Sequence, residues 1–271
     1  AHAQDTSRDS TATTLSASLA GSQAQFTNWQ QGGLNAIALT AGLTGEHERF
    51  DDRWEQSYDL NMSIGVVKQD TLALRKSNDL IRLEAALRYR GDGFFRTFEP
   101  TIAATFRSQF APGFNFDKDP LKGGRTPPVK VSDFLAPGIF AQSIGLTYDQ
   151  GTWFKQRFGL GAKQTVVTIT RLRPLYNMEL DDEVRVEGGL ESRTDVNREL
   201  IPNVRYKSSL GLFAAFNQPD MPDVTWDNIL TIKANEWLTT KLEVVVLLDR
   251  DVDPGAQVKQ VLSVGVLVSL I

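Results

Sequence analysis

The chain has 271 residues and contains no cysteine, only two histidines and no run of about 18 apolar residues. Each absence removes a class of protein. Without cysteine there are no disulfides, no Cys-based zinc sites and no thiol nucleophile. Without a long apolar run there is no transmembrane helix, although a β-barrel, which crosses with short alternating segments, stays open. Lys and Arg number 29 against 33 Asp and Glu, a formal net charge of −4, so no global basic field points to nucleic acid. His47 is the only histidine beyond the first three residues. A hydrolase of the barrel type needs a His beside Ser or Asp at its rim. The setting of His47 in EHERF (46–50) reads instead as a solvated turn, and no Ser/His/Asp set converges. No catalytic residue and no cofactor are assigned.

What the chain does have is a period of two. Over 51–67, Trp54, Gln56, Tyr58, Leu60, Met62, Ile64 and Val66 share one face, and Arg53, Glu55, Ser57, Asp59, Asn61 and Ser63 share the other. Over 78–91, Ile81, Leu83, Ala85 and Leu87 oppose Arg82, Glu84 and Arg88. The same alternation sets Val184, Val186 and Leu190 against Arg185, Glu187, Glu191 and Arg193. Leu242, Val244 and Val246 likewise oppose Lys241, Glu243 and Val245. No segment makes an amphipathic helix longer than about three turns.

Twelve such segments are read, at 12–28, 32–45, 51–69, 77–91, 95–111, 136–149, 152–164, 182–196, 203–217, 222–235, 237–250 and 257–271. Many exceed the ~5–6 residues of a globular strand and reach the ~9–11 needed to cross a bilayer at a tilt. The gaps sort by length. EHERF (46–50), GDGF (91–94), DQGT (149–152), NRELIP (197–202) and NEW (235–237) alternate with the longer 70–76, 112–135, 165–181, 218–222 and 249–256. Short turns on one side and long loops on the other are the habit of outer-membrane barrels. The expectation is an all-β, transmembrane, antiparallel up-and-down barrel of about 12 strands, with 10 or 14 as alternatives. TVVTITRL (165–172) is the ambiguous stretch, since as an extra strand it would displace 12–28.

A soluble barrel would bury the apolar face and a membrane barrel would expose it to lipid. Three features favour lipid. Neither helices nor a second apolar face is present. Aromatics (Trp54, Tyr89, Tyr148, Trp153, Tyr206, Phe216, Trp226 and Trp237) gather near segment ends, where interfacial girdles sit. The polar faces mix both signs, so rows of charges can pair across a lumen. The last segment, VKQVLSVGVLVSLI (258–271), then turns its Val/Leu row to lipid and closes the sheet against 12–28. Residues 1–11 are read as a flexible N-terminal segment in which AHA (1–3) is the remnant of a secretory signal, and 12–271 as the barrel.

The stretch SQAQFTNWQQGGLNAIAL (22–39) carries Asn28, Trp29, Gly32, Gly33 and Asn35. This pattern resembles a family of Bacteroidota-type outer-membrane barrels catalogued only as a domain of unknown function. SQFAPGF (108–114), SDFLAPGIF (132–140), TWDNILTIKANEWL (225–238) and LLDRDV (247–252) look similar to it in the same order. The resemblance implies an outer-membrane barrel and a Bacteroidota-like source, and supplies no catalytic residues. Ile271 departs from the aromatic residue on which many outer-membrane proteins end.

The candidate site is the set of inward charges. From the first half of the chain these are Arg53, Glu55, Asp59, Arg82, Glu84, Arg88 and Arg107. From the second half they are Arg185, Glu187, Glu191, Arg193, Arg205, Lys207, Asp227, Lys233, Lys241 and Glu243. If they pair, they brace a closed barrel; if a gap remains, they select solutes by charge. Asp249, Asp251 and Asp253 in DRDVDPG are spaced like the start of a calcium loop, but Pro254 and Gln260 stand where that loop needs Gly and Glu. They are a weak metal candidate at most. The basic, Gly/Pro-rich 112–135 segment is either a plug in the mouth or a surface loop. These features predict a narrow channel for small polar solutes, with a structural or assembly subunit as the alternative and a membrane hydrolase third. Outer-membrane lipid and lipopolysaccharide are the expected partners, with another envelope protein possible in the second case and no nucleic acid.

Overall fold

In the computed structural model, residues 10–25, 35–70, 72–151, 153–251 and 255–271 are described. Asn28, Trp29, Gly32, Gly33, Asp253 and residues 1–3 fall outside them. The strands are β1 (Ser10–Ala24), β2 (Ala36–Asp51), β3 (Trp54–Gln69), β4 (Arg75–Tyr89) and β5 (Glu99–Ser108). A small hairpin, β6 (Gly113–Asn115) and β7 (Val129–Ser132), follows. Then come β8 (Gly138–Asp149), β9 (Phe154–Val166), β10 (Val184–Ile201), β11 (Val204–Ala215), β12 (Asp223–Lys233), β13 (Leu238–Leu248) and β14 (Gln257–Ser269). All but β6 and β7 form one closed barrel, in the order β1-β14-β13-β12-β11-β10-β9-β8-β5-β4-β3-β2. Every pairing is antiparallel between neighbours, and β1 meets β14 from Ser16↔Ser269 to Gly21↔Val264. The barrel therefore has twelve strands, not ten or fourteen.

The distribution of side chains is inside-out. Ile102, Ile144, Phe158, Leu160 and Leu190 are each more than half exposed although they lie mid-strand. The buried residues of the strands are chiefly polar, among them Glu55, Arg88, Glu99, Thr101, Thr147, Lys163 and Thr165. Among the described residues the compact apolar cluster (Ala136, Val167, Leu172 and Met178) lies outside the barrel strands, in the connections at one end. A chain arranged this way leaves its large apolar wall without a protein partner, and hydrocarbon is the solvent that wall suits. Aromatics ring one end of the barrel: Trp54 packs on Tyr89 at 5.0 Å and Phe98 on Tyr148 at 5.9 Å between ring centroids.

Three local expectations change, and the ambiguous stretch resolves as a connection. His47 lies within β2, not in a turn. The β2–β3 hairpin closes four residues later, at Asp51↔Trp54, where Asp52 takes the left-handed conformation at φ 47°. The charges of EHERF mark a strand running past the apolar band into water, where pairing continues. For the same reason β10 continues through NREL to Ile201, and the turn is Pro202–Asn203, with Asn203 at φ 68°. Phe94–Thr97 form a short helix, not the start of a strand, after Gly93 turns the chain at φ 60°. TVVTITRL is no extra strand: β9 ends at Val166 and a 3-10 helix covers Thr170–Tyr176.

The inside-out arrangement gives a direct test. Ile144 is central in β8 and 61% exposed. Ile144→Arg is expected to cost about 2–4 kcal/mol, the range for Arg at the bilayer midplane of a barrel. Urea unfolding in phospholipid vesicles measures it, and a change below about 0.5 kcal/mol, the size of an ordinary surface substitution, would contradict the lipid-facing assignment.

Candidate functional site: a charge ladder across the lumen

The inward face of each strand carries alternate residues, so the lumen is where charges from many strands converge. At the turn-bearing end, Arg88 on β4 is 5% exposed and bonded to three carboxylates: Glu55, Asp149 and, at 3.0 Å, Glu99. Arg90 adds a 2.7 Å contact to Glu55. One step up, Arg193 on β10 reaches Glu84 on β4 at 2.8 Å and Asp195 at 3.1 Å, and Ser209 donates to Asp195 at 2.7 Å. Beside it, Arg82 reaches Asp227 on β12 at 2.8 Å and Glu84 at 3.5 Å. Toward the loop end, Lys163 holds Glu187 at 3.0 Å and also Asp223, while Arg185 holds Glu187 at 3.2 Å and Asp251 at 3.0 Å.

Several of these pairs cannot be made along the wall. In the closed order β12 lies six places from β4 in either direction, so Arg82 and Asp227 meet straight across the barrel. Lys207 on β11 and Glu46 on β2, five places apart, join at 2.5 Å. Arg193 and Glu84 span four places. The lumen is thus crossed by side chains at several heights.

Not every expected residue joins this ladder. Arg53 sits in the β2–β3 turn, where it bonds Asp92 at 2.8 Å and the Tyr89 hydroxyl at 3.3 Å, since the hairpin closes at Asp51↔Trp54 and leaves it off the strand. Asp59 pairs in register with Glu46 and Glu84 on the same row. Glu191 holds Arg157 at 2.7 Å and Glu243 holds Lys259 at 2.7 Å. Arg205 donates to Asn197 at 3.3 Å near the turn end. Lys233 closes β12 and is exposed, and Lys241 on β13 lies opposite Ser263 on β14. Sequence reading passed over Glu46, Glu99, Asp149, Lys163, Asp195, Asp223 and Lys259. Part of their signal was present: Lys163, Asp195 and Lys259 occupy alternate positions of amphipathic segments, whereas Glu99, Asp149 and Asp223 sit at the ends of strands and Glu46 lies in the EHERF stretch that reads as a turn.

The two long connections pack on each other. Tyr176 of the 3-10 helix donates to the Val131 carbonyl at 3.4 Å, and burial pushes its hydroxyl up to about 12, so it keeps its proton. Arg171 donates to the Lys130 carbonyl at 3.3 Å, and Leu121 packs on the Val167–Leu172 cluster. Inward Arg185 donates to the Tyr176 carbonyl at 3.0 Å, which brings the 3-10 segment to the edge of the lumen. The 112–135 segment instead leans on the rim, where Arg75 stacks over Phe116 at 4.0 Å, and just before it Lys76 donates to the Ala111 carbonyl at 2.7 Å. Asp251 is held by Arg185 and Asn177, and Asp249 accepts from the Asp251 amide at 3.1 Å. Among the described residues no three His, Asp or Glu side chains gather as metal ligands. His47 faces the outer wall, where its Nδ1 lies 2.8 Å from the Thr13 hydroxyl and its ring 6.0 Å from Tyr58. Nearby, an apolar groove of about 530 Å³ runs along the wall past Leu60, Leu83, Phe106 and Phe140.

A closed, even-stranded antiparallel barrel with an apolar exterior and an ion-paired interior defines a porin-like β-barrel of the outer-membrane type. Residues 22–114 match the family described as "Protein of unknown function (DUF3078)". That span contains the 22–39 and 108–114 stretches, whereas the similar-looking stretches beyond residue 114 lie outside it. No curated protein matches the chain in sequence. Among solved structures it is similar to the COG4313 outer membrane channel from Pseudomonas putida F1, at 12% identity and TM-score 0.41, covering 100% of both chains. The translocator domain of autotransporter NalP from Neisseria meningitidis is similar at 10% identity and TM-score 0.39, over 97% of this chain and 89% of that one. Salmonella typhi OmpF, in complex with daunomycin, is similar at 7% identity and TM-score 0.30, over 97% and 98%.

The ladder predicts unequal costs. Arg88→Ala takes the one buried cation from three carboxylates, leaving them only the more exposed Arg90 and Lys155, and is expected to destabilise the barrel by about 3 kcal/mol. Arg53→Ala, in an exposed turn, is expected to sit within the range of ordinary surface substitutions. Equal urea midpoints for the two variants in detergent would contradict the assigned role of Arg88.

Proposed function

We propose that the protein is a narrow outer-membrane channel for small polar solutes, with the charge ladder as its constriction. The observation that carries this reading is the lumen wall itself. It is lined by paired charges that span the barrel rather than by an apolar filling. A lumen packed with hydrocarbon side chains holds no water. Ion pairs keep a polar path, and solute charges can compete for them. A twelve-stranded barrel also lies between eight-stranded barrels, which side chains fill, and sixteen-stranded porins, which stay open. Cross-lumen pairs such as Arg82–Asp227 narrow the path to small solutes.

The orientation follows from the connections: the N-terminus and the short turns are periplasmic, and the two packed long loops face outward. Outer-membrane lipid and lipopolysaccharide cover the apolar wall and its groove. No step of covalent chemistry is assigned.

Planar-bilayer recording tests the reading. The wild-type barrel is expected to give small, stable conductance steps. The double variant Arg82→Gln, Asp227→Asn, which removes the diametric brace, is expected to give larger ones. Bilayers that stay silent with both proteins would contradict a channel.

A further inference from the structure

Arg82 on β4 and Arg107 on β5 are direct cross-strand partners on the inward face. Like charges opposed in this way destabilise a sheet unless something neutralises them. Arg82 is neutralised: Asp227 and Glu84 hold it. Arg107 is not. Among the described residues no carboxylate lies within ion-pair distance of its guanidinium and no acceptor takes its N–H groups. Two acids of the inward face, Asp227 and Glu243, are already committed, Asp227 to Arg82 and Glu243 to Lys259.

Arg107 opens onto a cavity of about 340 Å³ that Lys76, Asn78, Asp79, Gln257 and Lys259 also line, with Val245 and Leu247 as an apolar wall. Asp79 is itself taken: it holds Lys76 at 2.9 Å and accepts from the Phe110 and Ala111 amides at 2.7 and 2.9 Å. Lys259 donates to Glu243 at 2.7 Å and to Asn78 at 3.2 Å. An ammonium has three donors, so one remains for a ligand. The apolar wall lowers the local dielectric and strengthens any charge-assisted bond made there. An unpaired guanidinium fork, an ammonium and amide donors around one cavity match an oxyanion, because the planar fork takes two oxygens side by side.

We propose that this cavity is an anion site in which Arg107 binds a small oxyanion, carboxylate or phosphate, in bidentate fashion, with Lys259 as a second donor. The site sits directly beside the Arg82–Asp227 brace. It makes anions the preferred solutes of the path. That consequence rests on the channel reading, whereas the binding itself does not.

The test is an NMR titration of the arginine Nε–H signals of 15N-labelled barrel in detergent micelles, with sodium acetate in one arm and sodium phosphate in the other, at constant ionic strength. One Nε–H signal is expected to shift and saturate. That signal is absent from Arg107→Gln, which identifies it. In Lys259→Gln the same signal is expected to saturate only at severalfold higher anion. Heat-modifiable gel migration of both variants checks that they fold. A stronger response in one arm identifies the oxyanion that the site prefers. Shifts that never saturate, or that persist unchanged in Arg107→Gln, would overturn the site. Lys259→Arg, which keeps the charge, covers the case in which Lys259→Gln does not fold. A silent bilayer together with a saturable Arg107 shift would sink the channel reading and leave the anion site standing. Conductance without that shift would do the reverse.

Discussion

The structure depends on one constraint: in hydrocarbon, no backbone N–H or C=O can be left without a partner. A sheet meets that requirement only by closing, and here closure is the pairing of β1 with β14. Once the sheet is closed, each strand has one face toward lipid and one toward the lumen. The lipid face takes Ile102, Ile144, Phe158, Leu160 and Leu190. The lumen face is left to hold the barrel open or shut, and here it does so with charge.

The charges form a ladder because paired ions in a narrow lumen are partly desolvated. A lone ion there would be costly, so each recruits partners, and where no neighbour on the wall serves, the partner comes from the far side. Arg82–Asp227 and Lys207–Glu46 are such cases. Among the described residues the ladder also leaves charges without an ion pair, Asp59, Lys241 and Arg107, and of the two cations Arg107 faces a like charge across the strand pair. Arg107 stands beside Arg82 with Asp227 and Glu84 taken, and the cavity next to it adds the Lys259 ammonium, while the Asp79 carboxylate there is held by Lys76.

Much of the fold was legible in sequence because strand alternation is local. A period of two needs only the residue and its second neighbour, so twelve segments and the sorting of short and long connections could be read directly. Boundaries were less legible where strands leave the apolar band. EHERF and NREL look like turns by composition, yet they extend β2 and β10 into water, where the pattern of hydrophobicity fades but backbone pairing does not. Phe95–Thr97 read as the start of a strand, and they instead belong with Phe94 to a short helix. The site was half legible. Alternation puts Arg82, Glu84, Arg193 and Asp227 on the inward face. It says nothing about which of them meet, because those contacts join strands as much as 145 residues apart in sequence. The isolation of Arg107 could not be read for the same reason: it depends on where every other charge went.

The central claim is that side chains of opposite strands meet inside a closed barrel, and the absence of native cysteine makes it simple to test. A barrel carrying Arg82→Cys and Asp227→Cys, reconstituted in lipid and treated with a short bifunctional thiol reagent, is the direct measurement. The account predicts an intramolecular cross-link, seen as a mobility shift of the denatured chain that either single-cysteine variant lacks. A pair that reacts with monofunctional reagent at both thiols but never cross-links, in a barrel that still shows heat-modifiable migration, would contradict it.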